Sequence, residues 1–201
     1  MKEIRQRSNT IPNIIKANED GGHPSNAILI IDTAADQSTC AGPAWTVLED
    51  TGLTLRCTGY MGDNQGNNTH DLPVVSAITC VEMEGEQPIL LLMHQACFYE
   101  NQDQRESLCH PYQSMEHGIK FCLTPKDALT PDGSLGKQSI MVNDREISLK
   151  LDGRKMYLNI RKPMQDEIDT LDTLEMTSPL PFEPEMDESN RKMSRRDTKR
   201  K

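Results

Sequence analysis

The length of the apolar runs is what most limits how this chain can fold. Ala27 to Asp32 (AILIID), Val74 to Val81 and Pro88 to Met93 are each of strand length, and Ala27 to Asp32, too short for a buried helix, ends in a polar turn. Trp45 to Glu49 and Leu53 to Cys57 flank Asp50-Thr51-Gly52, which reads as a hairpin whose glycine supplies the positive φ of the turn. Gly59 to His70 (GYMGDNQGNNTH) is rich in Gly and Asn and reads as a mobile loop or a long hairpin tip. In Glu146 to Ile160 an Asp152-Gly153 turn sets Leu151 against Arg154, Leu149 against Met156 and Ile147 against Leu158, with apolar facing apolar in the last two pairs. The one expected helix is Pro111 to His117. Proline suits its first turn, Gly118 ends it, and Leu108, Tyr112 and Met115 fall on one side. About eight strands and one short helix predict an all-β domain.

Charge sets the expected boundaries of that domain. The chain has 201 residues and a net charge of −9, unevenly spread. Asp166 to Glu188 holds 9 acidic residues and no Lys or Arg, while Asn190 to Lys201 holds 7 basic residues against Asp197 alone. Such segments bury too little apolar surface to offset the entropy of ordering them. Residues 163–201 are therefore expected to be a disordered acidic linker and basic tail, and the polar residues 1–25 a disordered N-terminal segment, leaving 26–162 as the folded domain. The tail at 190–201 has no interleaved aromatic to stack on bases, so it offers weak nucleic-acid contact at most. No apolar run approaches the ~20 residues that span a bilayer, and Met1 to Ser8 lacks the apolar core of a secretory signal. The expected setting is intracellular, cytoplasmic or nuclear, with no membrane partner and with the 6 Cys as thiols.

The sequence that carries chemistry is Ile30-Ile31-Asp32-Thr33-Ala34-Ala35-Asp36. A carboxylate at the end of an apolar strand, followed by a hydroxyl residue and two small ones, is the local shape an aspartic protease needs. That chemistry uses two adjacent carboxylates sharing one proton, because like charges ~3 Å apart cannot both ionise. One motif supplies one carboxylate, so a chain of this length must pair about a two-fold axis to complete the site. In that pairing Asp32 of each copy meets at the interface, and the Thr33 hydroxyls hydrogen-bond across the axis. The small residues that follow let the chain turn tightly and bring backbone N–H groups toward the carboxylates. Asp50-Thr51-Gly52 matches a D-T-G string more closely, but Glu49 stands where an apolar strand end is wanted, so it reads as a surface turn.

Ile28 to Thr39 (ILIIDTAADQST) resembles the D-[ST]-G-A-D-x-[ST] loop of retropepsins, the dimeric aspartic proteases of retroviruses and LTR retrotransposons. LEDTGLTLRCTGY, HDLPVVSAIT, ILLLMHQACFY, SLCHPYQSMEHGIKF and ISLKLDGRKMYLNIRKP follow in an order that resembles copia-type Gag-Pol polyproteins, over roughly Ala27 to Pro184. The resemblance implies a retropepsin-like acid-protease β-barrel with one short helix, followed by a β-hairpin. It also implies Asp32 as catalytic aspartate, Thr33 as the cross-dimer hydroxyl, and Ala34, Ala35 and Asp36 as substrate-binding positions. Gly59 to Asn68 takes the place of a flap. The implied activity is endopeptidase cleavage of a polypeptide by a homodimer without cofactor. The alternative is a catalytically inactive retroelement-derived fragment serving as a dimerisation or binding module.

Two departures bear on that choice. Ala34 stands where the family has Gly, and a loop that needs a glycine-only conformation there would be strained by about 1 to 3 kcal/mol. The apolar-apolar-Gly and short helix that support the loop in retroviral members find no counterpart, since Leu151 to Arg154 reads as a hairpin turn. No metal is expected, because Cys109, His110, His117 and Cys122 fit none of the usual zinc spacings. Cys97 with His94 lacks a group to orient the base.

Overall fold

The apolar runs become strands, and the strands pair into a ring. The computed structural model describes residues 4–6, 27–58, 69–83, 85–125, 128–129, 133–134, 136–153 and 155–180. In chain order the elements are β1 (Ile4–Gln6), β2 (Ala27–Ile31), β3 (Thr39–Ala41), a 3-10 turn (Gly42–Ala44), β4 (Thr46–Thr58), β5 (Thr69–Val81), β6 (Ile89–Tyr99) and β7 (Glu106–Cys109). There follow α1 (Pro111–Glu116), β8 (Lys120–Leu123), β9 (Gln138–Val142), β10 (Arg145–Ser148), β11 (Lys150–Asp152), β12 (Lys155–Arg161), α2 (Gln165–Thr170) and β13 (Thr173–Glu175). The fold is mostly β, as run lengths require.

β2 lies between antiparallel β12 and parallel β7, and Leu29, Ile30 and Ile31 are all buried. Burial on both faces explains why its sequence is a continuous apolar run rather than an alternation. β7 also contacts β3, β3 runs parallel to β6, β6 pairs with β5, and β5 returns to β12. The pairings of β5, β12, β2, β7, β3 and β6 thus close on themselves. Trp45 fills this core with its indole N–H donating to Ser107 Oγ at 2.8 Å, and Thr79 donates to the carbonyl of Ala44 at 2.9 Å, so these buried polar groups are satisfied. A second sheet, β10-β9-β8, contributes Ile140, Val142 and Ile147 to the same apolar cluster.

Four expectations need correction. Asp50-Thr51-Gly52 does not turn the chain back: β4 runs through it and pairs with β5 along its length, the register slipping between Asp50 and Thr54. Gly52, at φ +74°, makes a bulge instead of a hairpin, held by the Asp50 carboxylate accepting from the Gly52 N–H and by Thr51 donating to the carbonyl of Val74. The Asp152-Gly153 hairpin exists, but Leu151 faces Met156 and Asp152 faces Lys155, one turn position along. Ile147 belongs to β10 and faces Ile140, because Asn143 and Asp144, both at positive φ, turn β9 into β10.

The third correction concerns α1, which ends one residue earlier than expected, with His117 as its C-cap, and whose buried face differs from expectation. Tyr112 and Met115 are exposed, and Gln113 and Ser114 are buried. The fourth concerns the termini. Pro163 to Leu180, expected to be disordered, carries α2 and β13, the latter paired parallel to β6. Ile168, Leu171, Leu174 and Met176 pack inward between the acidic residues, which a charge count over the window conceals. The Arg161 guanidinium clamps the Glu167 carboxylate, which also accepts from the Met164 N–H at 2.8 Å. Ile4–Gln6, inside the segment expected to be disordered, pairs with β4. The expected flap at Gly59 to Asn68, Arg154, and the tail at 190–201 lie outside the described residues. Among those described, no helix is long and apolar enough to cross a membrane.

Candidate active site

All five residues singled out from the motif lie on one turn, between β2 and β3. Asp32 follows β2 directly, with its N–H donating to the carbonyl of Cys109 at 3.0 Å, so its backbone is fixed by β7. Its Oδ1 accepts from the Ala34 N–H at 2.9 Å, which orients the carboxyl group from within the turn. Thr33 and Ala34 are exposed at the tip, Ala35 is half-buried and Asp36 is exposed. Ala34 is absent from the positive-φ residues, which outside glycine are Gln95, Asn143 and Asp144 among the described residues. Its Cβ therefore causes no left-handed strain, and the departure from glycine costs the turn nothing on that account.

Beneath the turn lies a polar floor that the motif did not reveal. Ser38 donates its N–H to Gln113 Oε1 at 3.1 Å, accepts from the His110 N–H on Oγ at 3.0 Å, and accepts from the Cys97 N–H on its carbonyl at 3.0 Å. Gln113 Nε2 and Gln37 Nε2 both donate to the carbonyl of Gln95. That carbonyl is turned toward them because Gln95, at φ +52°, sits where the β5–β6 register slips between Val75 and Ala77. Holding a non-glycine residue left-handed costs about 1 kcal/mol or more, and the accepted hydrogen bonds offset it. The helix that braces the turn, through Gln113, is α1, entered through Cys109-His110-Pro111.

The turn borders a cleft of about 750 Å³. Asp32 and Asp36 line it from the turn, Arg56 and Cys57 from β4, and Cys97 from β6. Two cations lining it form ion pairs: Arg56 Nε is 3.0 Å from Asp71 Oδ1, and Lys155 Nζ is 2.9 Å from Glu106 Oε1, which raises the lysine's pKa. Asp50 lies on the β4 bulge and is not among the residues lining the cleft. No group of three or more His, Cys, Asp or Glu side chains among the described residues is arranged to hold a metal ion. Burial pushes the Cys109 thiol up to about 11, as for a packed core residue. His94 Nδ1 is 2.9 Å from Ser76 Oγ, while Cys97 Sγ is 3.5 Å from Cys57 Sγ.

The turn is legible in the sequence as an apolar strand end followed by small residues, whereas Ser38, Gln95 and Gln113 carry no such signal. Apolar periodicity cannot find polar residues that are buried because they brace something else, and in α1 it pointed to the opposite face. No protein-family model, curated protein or solved structure matches the chain.

Proposed function

We propose that the chain is one half of a dimeric aspartic endopeptidase of the retropepsin type. The observation that carries this reading is the Asp32 carboxyl group, held by the Ala34 N–H at the edge of the cleft on a turn braced from below. The closed ring of β5, β12, β2, β7, β3 and β6 is further support for an acid-protease barrel. So is the exposure of Thr33 and Ala34, which leaves the tip of the turn accessible to a second copy.

In the proposed dimer the two Asp32 carboxyl groups face each other across the two-fold axis and share one proton. The ionised carboxylate takes a proton from a water molecule as its oxygen attacks the scissile carbonyl carbon, and the protonated partner donates to the carbonyl oxygen. Collapse of the tetrahedral diol breaks the C–N bond, the amine leaving with a proton returned from the dyad. The Ala34 N–H fixes one carboxylate oxygen, so the other remains directed at the water. Thr33 from each copy bonds across the axis, and Ala35 and Asp36 border the bound peptide. The test is cleavage of a mixed peptide library at about pH 4 to 6, where one proton per dyad is expected. Cleavage by the natural chain and none by Asp32→Asn supports the reading. Equal cleavage by both overturns it, and no cleavage by either overturns it in favour of a chain that only binds or dimerises.

A further inference from the structure

We propose that Cys57 and Cys97 form a redox couple that closes to a disulfide in the wall of the cleft when a hydroperoxide reaches it. The two sulfurs are 3.5 Å apart, although the residues are separated by 40 positions and lie on strands that are both partners of β5. Cys57 faces His70 of β5 and Cys97 faces Val74. In a flat sheet two strand spacings and four residues along β5 would put them roughly 16 Å apart. The contact exists because the β4–β5 pair curls over β6. A covalent bond there would fix that curl.

The surroundings assign the two thiols different parts. Both line the cleft, but Cys57 is half-buried and Cys97 is buried, so a small oxidant reaches Cys57 first. Cys97 is fully buried in an apolar cluster with Leu55, Leu72 and Val74. The Cys57 thiolate attacks the terminal oxygen of the hydroperoxide; the S–O bond forms as the O–O bond breaks, the other oxygen leaves and takes up a proton to give an alcohol or, from hydrogen peroxide, water, and Cys57 becomes a sulfenic acid. Cys97 sulfur then attacks the Cys57 sulfur, the S–O bond breaks and water leaves. Two thiols lose two electrons in total, and the peroxide gains them. Closure moves the sulfurs from 3.5 Å to the ~2.05 Å of a disulfide, within reach of side-chain rotation. Cys40 and Cys109 are fully buried thiols with raised pKa values, a setting that keeps them inert.

The test is brief treatment of the full chain with hydrogen peroxide, followed by alkylation, proteolysis and mass mapping. The expected result is a Cys57–Cys97 cross-linked peptide, a fall of two in the thiol count under denaturing conditions, and reversal by dithiothreitol. The oxidised chain should also unfold at a higher denaturant concentration than the reduced one. Cys57→Ser and Cys97→Ser should each abolish the cross-link while keeping a native circular dichroism spectrum. Should either unfold, Cys57→Ala or Cys97→Ala in its place keeps the comparison. A chain that keeps both thiols, or that links Cys40 to Cys109 or Cys122 to a second chain instead, overturns the proposal. This readout does not use peptide cleavage, so it stands or falls apart from the endopeptidase reading.

Discussion

Below the Asp32 turn, Ser38 engages its N–H with Gln113 of α1, its hydroxyl with His110 at the N-cap of that helix and its carbonyl with Cys97 of β6, and Gln113 and Gln37 converge on one carbonyl of β6. Above it, Thr33, Ala34 and Asp36 are exposed, and Asp32 is positioned from inside the turn by the Ala34 N–H. The floor behaves as core, where removing one partner strands another buried group. The rim behaves as surface, where substitutions cost little stability and act on what the carboxylate meets. A site that places one carboxylate rigidly and leaves its tip uncovered suits assembly from two copies, since the support shell is complete within each chain.

The largest expected effect separates rim from floor by activity. Asp32→Asn should lower peptide cleavage by at least ~100-fold, as expected for loss of an acid-base group, with the denaturation midpoint nearly unchanged. A matching loss of stability would make Asp32 part of the floor. The next is Gln113→Ala, which leaves the Ser38 N–H without its acceptor and removes a donor from the Gln95 carbonyl. It should cost about 2 to 3 kcal/mol in denaturant unfolding and reduce cleavage as well. A cost under ~0.5 kcal/mol would mean the floor does not brace the turn.

Glu167 supplies a control away from the turn. The Arg161 guanidinium beside it holds its carboxyl below the usual carboxylate range, despite burial. A depressed folded pKa gives stability that is present above the unfolded value of about 4.3 and is lost as pH falls through the lower folded value. Stability should therefore decline on acidification below about pH 4, and Glu167→Gln should flatten that part of the profile while lowering stability at neutral pH by about 1 to 2 kcal/mol. Unfolding curves at several pH values check this. The smallest effect belongs to Ala34→Gly. Because Ala34 is not left-handed, glycine relieves no strain and only loosens the chain, costing about 0.5 to 1 kcal/mol with no gain in cleavage. A rise in cleavage would show that the active turn has another conformation.

Run length and small residues made the β class, the Asp32 turn and the start of α1 legible in the sequence. Bulge and hairpin were not separable at Gly52, since both need a positive φ there, and only the pairing of β4 with β5 decides it. At the β9–β10 turn Asn143 and Asp144 both take positive φ, so Ile147 pairs across that turn with Ile140 and not across Asp152-Gly153. The order of Pro163 to Leu180 depends on apolar residues spaced through an acidic stretch and on docking against β6, a contact distant in sequence. The floor of the site was illegible for the same reason: Ser38, Gln95 and Gln113 are ordinary polar residues until the ring of strands brings them together.

The central claim, half an active site per chain, is tested most directly by mixing. Natural chain and Asp32→Asn chain are combined in equal amounts after dissociation, reassociated, and assayed for cleavage at fixed total protein. If each dimer needs two Asp32 carboxylates, specific activity falls to about a quarter, because random pairing makes about a quarter of the dimers natural on both sides. A fall to about half, the result for a site complete within one chain, would contradict the account.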